Sequence, residues 1–96
     1  MAIYLIHNHP DGGCLSYQDI ECGSISGAQA IIAVTDNYIY TASNFSISER
    51  NTIKESYYEV VWDNRETIQS EYARGTEIVV EKMSTLLNFT YTKRSR

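Results

Sequence analysis

Two histidines, His7 and His9, stand two positions apart, and a serine and an aspartate, Ser16 and Asp19, follow within one short run, IHNHPDGGCLSYQD. The same run holds a proline and two adjacent glycines, Pro10, Gly12 and Gly13. Imidazole, carboxylate and hydroxyl groups gathered where a strand passes through a glycine loop into a helix could form a metal site. The plainer reading is a polar turn.

The elements that must position these groups are legible around them. Residues 2–6 form a nearly unbroken β-branched and aromatic run, which suits a strand buried on both faces, with His7 at its carboxyl end. Pro10 cannot donate to a ladder, and Asp11-Gly12-Gly13 is turn chemistry, so the strand ends there. Ser16 has the character of a helix N-cap, and Asp19 falls where a carboxylate reaches back to it. A helix is therefore expected from Tyr17 to near Ser26, where Gly23 and Gly27 weaken it. Residues 28–35 and 38–42 read as two further strands, joined by a two-residue loop at Asp36-Asn37 that tolerates positive φ. The first strand pair should be parallel with a right-handed crossover, and the second antiparallel.

From Ser46 the period becomes helical. Ser46-Ile47-Ser48-Glu49 has the capping-box pattern, and Ile53, Tyr57, Val60, Val61, Ile68 and Tyr72 recur at helical spacings up to Gly75, with a break near Asp63-Asn64. Thr76 could cap a last helix carrying Ile78, Val79, Met83, Leu86 and Leu87, and Phe89-Thr90-Tyr91 looks extended. The expected fold class is α/β (α+β): a small mixed sheet of strand, helix, strand and strand, followed by C-terminal helices. One domain spans 1–96, with the motif in 3–42 and a helical part in 46–96.

Here the residues acquire a resemblance. His7-Asn8-His9-Pro10 followed by Ser16-Tyr17-Gln18-Asp19 resembles the JAMM (MPN, JAB) metalloprotease signature, His-x-His, a short loop, then Ser-x-x-Asp. Six residues, 10 to 15, separate His9 from Ser16, one fewer than in the best-known members. The shorter loop is similar to the HNHP domains of phage minor head proteins and polymorphic toxins, where Ser-x-x-Asp-Ile follows. The likeness covers residues 3 to 42 and implies a JAMM/cytidine-deaminase-like core.

The resemblance implies His7, His9 and Asp19 as ligands of one Zn2+, and Ser16 as the catalytic residue that hydrogen-bonds an oxyanion. Two nitrogens and one carboxylate would leave a fourth position for water, as in catalytic rather than structural zinc sites. The implied function is zinc-dependent hydrolysis of peptide or isopeptide bonds, with a peptide or a ubiquitin-like protein as substrate. The family's general-base glutamate lies on an upstream strand, whereas the six residues before His7 include no acid. The chain is accordingly expected to be a fragment of a longer protein or a degenerate domain. Glu21, two helical residues past Asp19, should point elsewhere. The alternative is a non-catalytic interaction module, toxin-like or associated with phage head proteins, that keeps the motif for structure.

Plainer readings stand beside these roles. His7 could be a core histidine, His9 a turn residue and Ser16 a plain cap. Cys14 could replace a ligand or act as a nucleophile with His7 or His9, although small thiols more often just pack. Tyr57, Tyr58 and Tyr72 could form a binding face or pack half-buried. The letters H-N-H do not make a nuclease, which needs its residues spread over a ββα unit.

Composition limits the partners. The 96 residues carry a formal net charge of −4, and the only basic cluster is Lys93-Arg94-Ser95-Arg96, too short for a nucleic-acid footprint. No apolar run approaches the roughly 20 residues that cross a bilayer. Two cysteines make neither a Cys-x-x-Cys pair nor a disulfide framework, and the sequons at Asn44 and Asn88 carry little weight. The expectation is a soluble, cytoplasmic chain that binds neither nucleic acid nor membrane. An exposed sheet edge should favour a homo-oligomer, with the helix beginning near Ser46 as its contact.

Overall fold

The structure is a computed structural model and describes residues 4–8 and 14–96. Strand β1 (Tyr4–Asn8) leads to helix α1 (Tyr17–Ser26), then to strands β2 (Ala30–Val34) and β3 (Tyr38–Ser43). Helices α2 (Arg50–Asp63), α3 (Arg65–Ser70) and α4 (Tyr72–Leu86) follow, and β4 (Thr90–Ser95) closes the chain. The four strands form one sheet in the order β1-β2-β3-β4, parallel between β1 and β2 and antiparallel thereafter. The fold is the expected mixed α/β arrangement.

The start of α1 is built as its residues dictate. The Ser16 hydroxyl accepts from the Asp19 amide at 3.3 Å while an Asp19 carboxylate oxygen accepts from the Ser16 amide at 3.0 Å, a complete capping box. Gly27 ends the helix at φ 71°, a left-handed position that favours glycine. Gly23, which looked like a weakening residue, lies inside the helix for a packing reason. A Cβ there would stand 2.7 Å from the Ile31 side chain, so its absence lets α1 sit close against β2.

The core forms between the helices and one face of the sheet. From the strands it takes Ile31, Ala33, Tyr40 and Ala42, and from the helical layer Ile20, Ile53, Val60, Val79, Val80 and Met83. Ile20, Ile31, Ile53 and Met83 are wholly excluded from solvent, which is worth about 1.5–3 kcal/mol for each such side chain.

Several local expectations are corrected. The β2–β3 loop does not use positive φ, which among the described non-glycine residues occurs only at Asn44 and Asn88. Buried Thr35 organises that turn instead, its hydroxyl accepting from the Asn37 and Tyr38 amides. Helix α2 begins at Arg50 because Glu49 itself is the N-cap, accepting from the Asn51 and Thr52 amides, while the Ser46 hydroxyl donates to the Asn88 carbonyl. Gly75 and Thr76 neither end nor start a helix. Both lie within α4, where Gly75 permits a crossing so close that a Cβ would stand 2.5 Å from the Ile68 Cα. The extended end runs through Ser95 as a full strand paired to β3. The break near Asp63-Asn64 does occur, at Asn64, whose side chain donates to the Val60 carbonyl.

Strand β1 departs most from its pattern. A continuous apolar run suits a strand covered on both faces, yet β1 is an edge strand whose residues alternate between exposed and half-buried.

Candidate metal centre

His7 lies on the helix-covered side of β1, opposite Ala33 of β2. Its Nδ1 is 2.8 Å from Oδ1 of Asp19, the third residue of α1. The carboxylate is the shielded partner, its side chain only 8% exposed against 38% for the histidine. The capping box explains how the aspartate comes to be there. With one oxygen held by the Ser16 amide, the other is aimed across the β1–α1 junction at the imidazole.

The chemistry of this donor pair fits a first-row divalent ion. Nitrogen and oxygen ligands of one tetrahedral zinc stand roughly 3.3 Å apart, given bonds of about 2.0–2.1 Å, so the pair would separate by only about half an ångström to admit one. The carboxylate's hydrogen bond to the Ser16 amide would supply the outer-shell restraint that ligating carboxylates ordinarily have. Among the described residues no group of three or more histidine, cysteine, aspartate or glutamate side chains comes together. His9, expected as the third ligand, lies outside the described residues, as does Pro10. Of the expected site residues, the structure thus brings His7, Ser16 and Asp19 to one junction.

Glu21 is not part of it. Its carboxylate accepts from the Tyr17 hydroxyl and lies 3.8 Å from the Arg50 guanidinium, tying α1 to the start of α2. Loss of solvent contact and the Glu21 charge push the Tyr17 hydroxyl up to about 12.

Cys14 sits half-buried just before the cap, its thiol donating to the Leu15 carbonyl at 3.3 Å. Burial, reinforced by the Glu77 carboxylate, pushes this thiol up to about 11. Such a thiol is a poor nucleophile at neutral pH, because the thiolate is the reactive form.

Sequence reasoning missed the polar row next to this junction. Register aligns His7, Ala33, Tyr40 and Lys93 across the four strands on the covered face. Lys93 Nζ is 3.3 Å from the Glu77 carboxylate of α4 and 4.3 Å from the Tyr38 ring centre. Beside it the Tyr91 hydroxyl is buried with no hydrogen-bond partner among the described residues, and burial holds its pKa far above the usual phenol value. The alternation in β3 signals Tyr40, but Lys93 and Tyr91 become visible only once β4 is known to pair with β3.

A separate groove of about 310 Å³ lies on the helical layer between α2 and α4. Val60 and Leu86 line it with Glu59, Asp63 and Lys82, and it shares no residue with the His7–Asp19 junction. No helix among the described residues is long and apolar enough to cross a membrane. Compared with family models, with curated proteins and with solved structures, the chain matches none.

Proposed function

We propose that this chain is a JAMM-like, zinc-dependent hydrolase of peptide or isopeptide bonds, or the motif-bearing part of one. The observation that carries the reading is the 2.8 Å approach of His7 to Asp19 beside the capping hydroxyl of Ser16. His7 and Asp19, twelve positions apart in sequence, meet beside Ser16, which supports the reading of these residues as part of a His-x-His and Ser-x-x-Asp signature. His7, His9 and Asp19 would hold the ion, and the ion when bound would supply Lewis acidity and a water of lowered pKa. Asp19 is fixed by the Ser16 amide and His7 by its strand, so both are preorganised. Ser16 is exposed, and its hydroxyl accepts from the Asp19 amide, which leaves its proton available for an oxyanion. The substrate would be an amide, in a peptide or in a linkage to a lysine of a ubiquitin-like protein.

A second reading has its own observation. Both Asp19 oxygens are already engaged within the chain, Oδ1 lying 2.8 Å from the His7 imidazole and Oδ2 accepting from the Ser16 amide, which is what a purely structural tie between β1 and α1 would show. That favours an interaction module, either toxin-like or carried by a phage head protein.

A fluorogenic isopeptide assay on the zinc-loaded protein separates the two. The hydrolase reading expects turnover that a chelator abolishes and that Ser16→Ala lowers about 10²–10³-fold, the cost of one oxyanion donor. Zinc bound without turnover, over peptide and isopeptide substrates alike, would leave the interaction module.

A further inference from the structure

The sheet has a second face, and every strand residue of the core cluster points away from it. The opposite set divides sharply between β2 and β3. Over the parallel pair it is apolar except for exposed Asn8 at its end, with Tyr4 and Ile6 56% and 68% exposed and Ile32 and Val34 half-buried beside them. Over the antiparallel pair it is mostly hydroxyl and charge, with Thr41, Thr92 and Arg94, and only Ile39 continues the apolar strip. This is the division that solvation demands: antiparallel sheets ordinarily leave one face to water, whereas parallel strands are covered on both. None of the described helices lies on the strip, and the molecule measures only 17 Å in its thinnest direction.

The size of the strip decides what fits it. Two strands and the edge of a third, about five residues long, make a band roughly 10–15 Å wide and 17 Å long. A face-to-face pair of such bands falls far short of the roughly 800 Å² per partner that a stable dimer buries. Pairing two β1 edges would extend the sheet and leave a doubled strip still open. One helix, by contrast, is about 10 Å across, and three turns span about 16 Å. Arg94 adds a polarity, since it stands exposed beside Ile39 on this face and makes no ion pair among the described residues.

We propose that the strip over β1 and β2 is the docking site for one amphipathic helix of a partner, with a narrow aliphatic stripe and a carboxylate flank toward Arg94. Recognition would follow the helix-in-groove mode, with anchors spaced i, i+4 and i+7. The inference does not depend on the metal centre.

The probe is a synthetic three- to four-turn helix with leucines along one stripe and glutamates on one flank, titrated into the full chain and followed by isoleucine methyl and amide NMR shifts. Shifts should concentrate at Ile6, Ile32 and Ile39, with a dissociation constant of about 10–100 µM. Ile6→Lys, at the most exposed position, and Ile32→Lys should each weaken binding about tenfold or more while the amide spectrum stays folded. Arg94→Glu should reverse the preference toward a lysine-flanked peptide. Binding no stronger than that of a peptide with the leucines scrambled off the stripe, or shifts that map to the α2–α4 groove, would overturn the proposal. So would concentration-dependent dimerisation of the free chain that Ile6→Lys abolishes, which would give the strip to a second copy.

Discussion

Ser16 and Asp19 each satisfy the other's backbone amide, and only Asp19 also reaches His7. The two contributions can be separated by substitution. Ser16→Ala should cost about 1 kcal/mol in chemical denaturation and Ser16→Gly only a few tenths, because glycine is tolerated at an N-cap. Equal losses would mean that the hydroxyl does more than cap. Cys14 offers a test at the same scale. Its thiol, pushed up to about 11, should resist alkylation at pH 8 in the folded protein, while exposed Cys22 reacts. The raised value also sets a sign. In the unfolded chain the thiol ionises in its ordinary range, so stability present below that range is lost as pH climbs toward 11. Two thiols reacting at equal rates would contradict the burial. At this scale the sequence was informative where groups act locally, as in the cap and the histidine at the strand end. It was silent on Lys93 and Tyr91, whose surroundings come from a strand and a helix distant in the chain.

Elements were legible to the extent that their signals were local. The first three strands, α1 with its N-cap at Ser16 and its end near Ser26, and the break at Asn64 follow from hydrophobic runs, capping chemistry and spacing. Gly75 was misleading because a glycine near a helix end reads as a stop, whereas here it serves the crossing of α3 and α4. The remedy for that ambiguity is a pair of substitutions. Gly75→Ala places a Cβ 2.5 Å from the Ile68 Cα, a backbone atom that cannot turn aside, and should destabilise the protein by about 1–3 kcal/mol. Gly27→Ala meets open space and should cost only the left-handed strain, about 1 kcal/mol. Urea denaturation of the two variants decides the order; a Gly75→Ala midpoint above that of Gly27→Ala would contradict the close crossing.

At the scale of the molecule, one layer of helices covers one face of a four-stranded sheet. The continuous apolar run of β1 foretold a strand covered on both sides, and its edge position with Tyr4 and Ile6 exposed is the clearest disagreement between pattern and fold. The proposed metal centre likewise depends on more than one element, since His7 stands on β1 and Asp19 on α1. Zinc binding to the folded state should raise the melting temperature by mass action, and the effect should fade on acidification as protons compete for the ligating groups. The most direct measurement is calorimetric titration with zinc at pH 7.5, on a Cys22→Ser background that removes the exposed thiol. One ion per chain should bind with a dissociation constant of about 1 µM or tighter, roughly 8 kcal/mol. Asn8→Ala should retain that binding, while His7→Ala, His9→Ala and Asp19→Ala each remove most of it. Binding no tighter than about millimolar, roughly 4 kcal/mol, or binding that survives His7→Ala and Asp19→Ala alike, would contradict the assembled metal centre.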